Sequence, residues 1–379
     1  MKHLIFLITL IVLFSCSTKQ EDTSSKNILE NLTVSIDSLV VDSGEEVYNP
    51  NQLFAQSISP DGKRLLAFNE QDFEFIELSL EDLKLIKRHP FEAEGPNGIA
   101  GWVMYFQILN GDELMLLDQK SPKIFNLDGQ KLKQYDLDLA KAIDFESEGP
   151  FSIPNGFHMS PDRSKFLSLP MNFGKPVEGL AIIDIASETG KILKLPGLDL
   201  TYGYQVVWQD GNMGSFFGDA VSLQLVNDKF LIYSGATADF YVYDYHTDSL
   251  DWKTITHTLV ENRKEGQYPH EVDSRERQME VVNQIRKQIT FNKFYWDPSR
   301  KMYFRFGTKN MVFPDPAKGI KRSADAYIFA YDEDFNLVGE SLLEDFENTP
   351  YSGNFLGGSF YSYLPMGDDA GFVRYSFDF

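Results

Sequence analysis

The sequence predicts an all-β protein, a six-bladed β-propeller closed by an N-terminal strand that completes the C-terminal blade. Three observations carry this prediction. A unit of four short strands recurs along the chain, and polar turns of one kind open the units. The final unit is one strand short, while an unclaimed strand stands near the N-terminus.

The first unit opens on Ser59-Pro60-Asp61-Gly62 and runs through strands at 63–68, 73–78 and 83–88. The second opens on Asn110-Gly111-Asp112 and continues through 113–118 and 123–127, then past Asp128-Gly129 into 131–137. The third opens on Ser160-Pro161-Asp162, with strands at 165–169, 180–185 and 191–195. Asn227-Asp228 opens the fourth, at 229–234, 240–245 and 252–257, and Asp297-Pro298-Ser299 the fifth, at 301–306, 327–331 and 336–340. Each unit is preceded by another apolar strand, such as 102–109 or 220–226. These segments alternate and are rich in Phe, Tyr, Ile and Val, as half-buried sheet requires. Turn residues that tolerate positive φ, or fix φ, separate them. The sixth unit supplies only 355–360, 361–364 and 371–379, so 32–40 is expected to be its outer strand, leaving no open sheet edge. An open array of the same sheets is the alternative.

Lys2 and His3 precede an apolar run from 4 to 14, broken only by Thr9. A bilayer-spanning helix needs about 20 such residues, so the run fits the core of a signal peptide over 1–15. Leu13-Phe14-Ser15-Cys16 resembles the lipobox of bacterial lipoproteins. That resemblance implies acylation of the Cys16 sulfur, palmitate being a typical chain, and cleavage before it. Each buried CH₂ contributes about 0.8 kcal/mol, so two or three chains make a durable anchor. Ser17, in place of Asp, implies an outer-membrane lipoprotein, and 17–22 is similar to the acidic tethers of surface-displayed members. Periplasmic and cell-surface faces both stay open. The expected organisation is a signal peptide over 1–15, a lipidated flexible tether over 16–30 and the propeller over 31–379. The lipobox together with the Ser-Pro-Asp-Gly-like hairpins resembles a family of Bacteroidetes-type lipoproteins of unknown function with a TolB-like propeller. The resemblance implies a fold and a compartment, and no activity.

The chain of 379 residues carries a formal charge of −21, and loss of 1–15 would remove only Lys2. A polyanionic body repels nucleic-acid backbones, which disfavours nucleic acid as a partner. Cys16 is the sole cysteine, so no disulfide forms within one chain. Stability must come from a large core, which 42% hydrophobic and 14% aromatic residues allow. G-x-S-x-G, H-E-x-x-H and Walker A motifs are absent.

Functional expectations rest on loop lengths. The connections at 170–179, 199–218, 261–289 and 307–325 are long and fall on one face of the predicted propeller, whereas the opposite face carries short turns. Insertions gathered on one face mark a binding face. Its candidate residues are Tyr202, Tyr204, Trp208, Tyr268, His270, Arg275, Arg277, Lys321 and Arg322. Within 261–289 a helix is expected, capped by Asp273-Ser274 and striped by Met279, Val282, Ile285 and Ile289. The leading expectation is a non-enzymatic scaffold binding an envelope protein, peptide or glycan, with no cofactor. The alternative is a Ca²⁺-dependent lactonase-like hydrolase at the channel mouth. There Asn97, Asn155 and Asp219, with Asn292 and Asn354, would form an oxygen-rich ring. His158, flanked by Phe157 and Met159, reads as a hydrogen-bonded core histidine.

Overall fold

The computed structural model describes residues 27–379 apart from 54, 100–102, 104, 118–120, 150, 151, 153–155, 212, 315–320, 345, 347–349, 351 and 352. Cys16, the expected signal peptide, the expected tether as far as residue 26, and Asn155 lie outside the described residues.

The chain is all-β. After β1 (Thr33–Val40), a first antiparallel sheet comprises β2 (Ala55–Ile58), β3 (Arg64–Asn69), β4 (Glu74–Ser79) and β5 (Lys84–Pro90). A second comprises β6 (Tyr105–Leu109), β7 (Glu113–Leu117), β8 (Pro122–Asn126) and β9 (Lys131–Gln134). The short helix α1 (Leu139–Ala142) leads to a third, of β10 (His158–Met159), β11 (Lys165–Ser168), β12 (Leu180–Asp184) and β13 (Thr189–Leu193). A 3₁₀ segment, Pro196–Tyr204, then precedes the hairpin β14 (Gln205–Asp210) and β15 (Met213–Gly218). The fourth four-stranded sheet holds β16 (Val221–Val226), β17 (Lys229–Ser234), β18 (Phe240–Asp244) and β19 (Ser249–Lys253). After β20 (Glu271–Val272) and helix α2 (Arg275–Ile285), the fifth holds β21 (Thr290–Asp297), β22 (Met302–Val312), β23 (Ser323–Tyr331) and β24 (Leu337–Leu343). In the sixth, β25 (Gly353–Leu356), β26 (Ser359–Tyr363) and β27 (Gly371–Asp378) are joined by β1, whose residues pair antiparallel with β27 from Thr33 opposite Asp378 to Val40 opposite Gly371.

The turns explain the repeat. Ser59 Oγ donates to Asp61 Oδ1 and accepts from the Arg64 amide, while Asp61 Oδ1 also accepts from the Lys63 amide. In the third sheet Ser160, Asp162, Ser164 and Lys165 repeat the same bonds. The side chains thus satisfy the amides that a reversing backbone leaves open. Burial grades across each sheet. All six residues of β4 are buried, whereas β5, β9, β13 and β19 are largely exposed. Middle strands have protein on both faces, so they read as apolar runs rather than strict alternation.

The first strands of successive sheets are tied together. β2 lies beside β6. Gln107 bonds both the amide and the carbonyl of Met159 through its side-chain amide. His158 Nε2 lies 3.4 Å from the Leu223 carbonyl, and Gln224 grips the amide and carbonyl of Phe294. Tyr295 meets Phe360 edge-on at 4.7 Å, and Asn354 Nδ2 donates to the Gly62 carbonyl.

Two expectations needed correction. Residues 27–30, assigned to the tether, pack onto β24: the Ile28 amide donates to Val338 O, Asn27 bonds both the amide and the carbonyl of Glu340, and Leu29 is fully buried. Gly339 permits this approach, since a Cβ there would lie 2.7 Å from Ile28 Cγ1. The outer strand of the fourth sheet begins at Ser249 rather than 252, because Asp244 Oδ1 caps the amides of His246 and Thr247 and closes the turn early.

Candidate functional site

The first strands of the six four-stranded sheets contribute to one cavity of about 900 Å³. The short turns that open the units form one end of it, through Asp61, Asn110, Pro161, Asp228 and Pro298. Its wall carries Val103, Phe106 and Ile108 alongside Tyr105, His158 and Lys293. His158 sits between the Tyr105 hydroxyl, 3.0 Å from Nε2, and the Leu223 carbonyl, and burial pulls it down to about 4. It is therefore neutral near pH 7 and structural, as the sequence suggests. Lys293 lies in an irregularity of β21 between Phe291 and Phe294, with its ammonium 5.2 Å from the centre of the Tyr295 ring. Burial lowers that lysine to about 8.

A second region lies outside the six sheets. β15, β14 and β20 form a three-stranded sheet, β14 and β20 pairing in parallel, and α2 packs on it. Ser274 caps α2 through the Arg277 amide, as the sequence predicts. Val282, Ile285 and Ile289 of the expected stripe are buried, but Gln278 is fully buried where Met279, only half-buried, was expected. Its amide donates to the carbonyls of Val206 and Ser215, and its Oε1 accepts from Ser215 Oγ, so a polar residue satisfies sheet groups that methionine would leave dry.

This accessory layer gathers five of the expected partner-face residues. Tyr202 stacks against His270 with centroids 4.1 Å apart, and both bond the Gly174 carbonyl. His270 Nδ1 lies 3.0 Å from Gln205 O. Tyr204 approaches Tyr268, whose hydroxyl accepts from Gln288, and Trp208 stands half-exposed on β14. Tyr202, His270 and Tyr268 thus spend much of their polar capacity internally, building the layer. Arg275 and Arg277 lie exposed in the first turn of α2, Arg277 paired with Glu280. Lys321 and Arg322 are exposed beside β23, where 307–312 and 323–325 of the expected loop extend the pairing of β22 with β23. Arg322 and Arg286 share the Phe313 ring, at 5.4 and 3.9 Å.

Asn97 and Asp219, expected as cation ligands, are engaged elsewhere. Asn97 Oδ1 accepts from the Lys131 amide on β9. Asp219 pairs with Lys264 at 2.6 Å, where burial lowers the lysine pKa against the opposing pull of the carboxylate, and Thr290 completes the group. Neither lines the cavity. Among the described residues, no three His, Cys, Asp or Glu side chains cluster as a metal cage.

Sequence reasoning missed the accessory hairpin and Lys293. Val206-Val207-Trp208 followed by Asp210-Gly211 is a β-branched and aromatic run ending in a favoured hairpin turn, which would have revealed the hairpin. A lysine within the aromatic run Phe291–Trp296 was the available signal for the cavity.

The chain belongs to the family described as Domain of unknown function (DUF4221), whose model matches residues 25–342. It is similar to a solved member of that family from Bacteroides vulgatus, at 14% identity and a TM-score of 0.62, over 92% of this chain and 98% of that one. That likeness shows a shared fold. A Bacteroides fragilis protein, named provisionally as exported, aligns at 10% identity and a TM-score of 0.47, over 91% and 95% of the two chains. The β-propeller domain of Cps50 from Myceliophteria thermophila aligns at 9% and 0.40, over 89% and 99%. No curated protein matches the chain.

Proposed function

We propose that this chain is a lipid-anchored binding module of the cell envelope: a closed six-bladed propeller, acylated at Cys16, that receives a protein partner on its accessory layer. Ring closure is supported by the side-chain links between consecutive first strands and by the pairing of β1 with β27. Anchoring is supported by the apolar run over 4–14 that leads into Leu13-Phe14-Ser15-Cys16.

The observation that carries the binding reading is the apolar surface of the accessory layer. Phe173 is 58% and Met213 64% exposed, and Phe173 lies 6.5 Å from Phe216 on the edge strand β15. Exposed apolar side chains beside the edge strand of a sheet favour cover by another protein. Deleting 261–289 is a poor test, because Lys264 is buried against Asp219. A photo-crosslinking residue is better placed at 213 or 173 in the native host, with the exposed Leu132 on β9 as control. A discrete adduct at 213 and 173, absent at 132, is expected. Equal or no adducts at the three positions overturn the reading.

A further inference from the structure

Among the described residues of its wall, the axial cavity holds a cation with no carboxylate against it. Lys293 is flanked by protein on the β21 irregularity, and its contact is the Tyr295 ring rather than a carboxylate. The two aspartates of the cavity serve its short-turn end and have other partners. Asp61 accepts from Ser59 and Lys63, while Asp228 accepts from the Tyr245 hydroxyl at 2.6 Å and lies 3.5 Å from the His246 ring. Four further titratable groups of the wall have hydrogen-bond partners of their own. Neutral His158 and Tyr105 bond one another, Tyr363 donates to Pro50 O, and Tyr361 bonds Arg374.

A half-buried ammonium without a counter-charge is left short of solvation, and an anion that enters the cavity recovers part of that energy. On a chain of net charge −21, such a spot is a local exception. The volume suits a small molecule, ligand pockets spanning about 300–1,000 Å³. Val103, Phe106 and Ile108 offer it an apolar wall, and the aspartates at one end disfavour a second negative charge. We propose that this cavity binds a small monocarboxylate, its anion paired with the Lys293 ammonium and its carbon body against the apolar wall. The site is on the inner strands, apart from the accessory layer, so its failure would leave the partner reading standing.

The full chain is titrated calorimetrically with acetate, hexanoate and benzoate, with benzamide and inorganic phosphate as comparators, and the melting temperature is followed in parallel. At least one carboxylate is expected to bind and raise the melting temperature near neutral pH, while benzamide does not and phosphate binds more weakly. Affinity should fall as pH rises past about 8, where the amine loses its proton. Lys293→Met should weaken binding about tenfold or more, the worth of a charge-assisted hydrogen bond, and Lys293→Arg should retain most of it. The proposal is overturned if no carboxylate binds, if benzamide or phosphate binds as well as the best carboxylate, or if Lys293→Met binds equally. Should Lys293→Met fail to fold, the benzoate–benzamide comparison and the pH profile on the wild type decide.

Discussion

Arg305→Ala should be among the most damaging single changes in this protein. Arg305 stands on β22 with 0% exposure. Its Nε donates to the Asn292 carbonyl at 2.7 Å, and Nη1 and Nη2 donate to those of Ala238 and Ser234, each at 2.9 Å. The rings of Phe294, Phe291 and Tyr233 surround the guanidinium at 4.7, 5.0 and 5.4 Å. One side chain therefore joins the fifth sheet to the corner between β17 and β18 of the fourth. Burial pulls the guanidinium down to about 10, so it remains charged at neutral pH. Alanine would leave three carbonyls without their donor, at about 1–3 kcal/mol each. It would also open a void among aromatic rings. Against this, the mutant no longer buries a charge, a relief of several kcal/mol. The net loss works out at about 3–5 kcal/mol, a large share of the about 5–15 kcal/mol typical of a domain. Urea unfolding followed by tryptophan fluorescence measures it. Arg305→Lys should fall between, since one ammonium cannot span three carbonyls. A loss below about 1 kcal/mol for Arg305→Ala would refute the reasoning, meaning that packing alone holds these sheets.

Acid should loosen the same neighbourhood through Glu340. Burial alone would raise its pKa, but the His257 imidazole and the hydroxyl and amide of Thr258 outweigh this and hold it at about 2. Because the folded value lies below the ordinary 4.5, this stabilisation is complete above about 4.5 and is lost as pH falls toward 2. His257, lowered by burial, adds loss of the same sign below its ordinary 6.5. Glu340→Gln should flatten the acid limb of a stability–pH curve, and an unchanged limb would count against the assignment. At the N-terminal end, Leu29→Ala should cost about 2–5 kcal/mol, measured by denaturant unfolding, because Leu29 is fully buried against Gly339. A cost under about 1 kcal/mol would show that the hydrogen bonds of Asn27 and Ile28, rather than Leu29 burial, hold residues 27–30.

The four-strand repeat was legible because its turns carry their own chemistry. Ser59 with Asp61, and Ser160 with Asp162, satisfy the local amides whatever surrounds them. The pairing of the two termini was legible for a related reason: a sheet with three strands needs a fourth, and 32–40 was the strand left over. The accessory layer was harder. The β14–β20 pair joins residues about sixty positions apart, and no local pattern encodes such a contact. Gln278 looked like a surface residue because its buried role depends on carbonyls from another element. Asn97 and Asp219 seemed poised at a channel mouth, and only the fold shows that a backbone amide and Lys264 claim them. Lys293 was overlooked since a lysine amid aromatics does not announce a cavity until the opposing strands are in place.

The sheet shared by β1 and β27 also sets a timetable. Of the described strands, β1 is made first and its partner β27 last. Until then β1 has no ladder to join, and the first five sheets can form while the sixth cannot. A partly made chain therefore carries an unpaired strand ahead of its formed sheets until β27 is made, with the aggregation hazard that brings. Closure of this sheet therefore waits on residues 371–378.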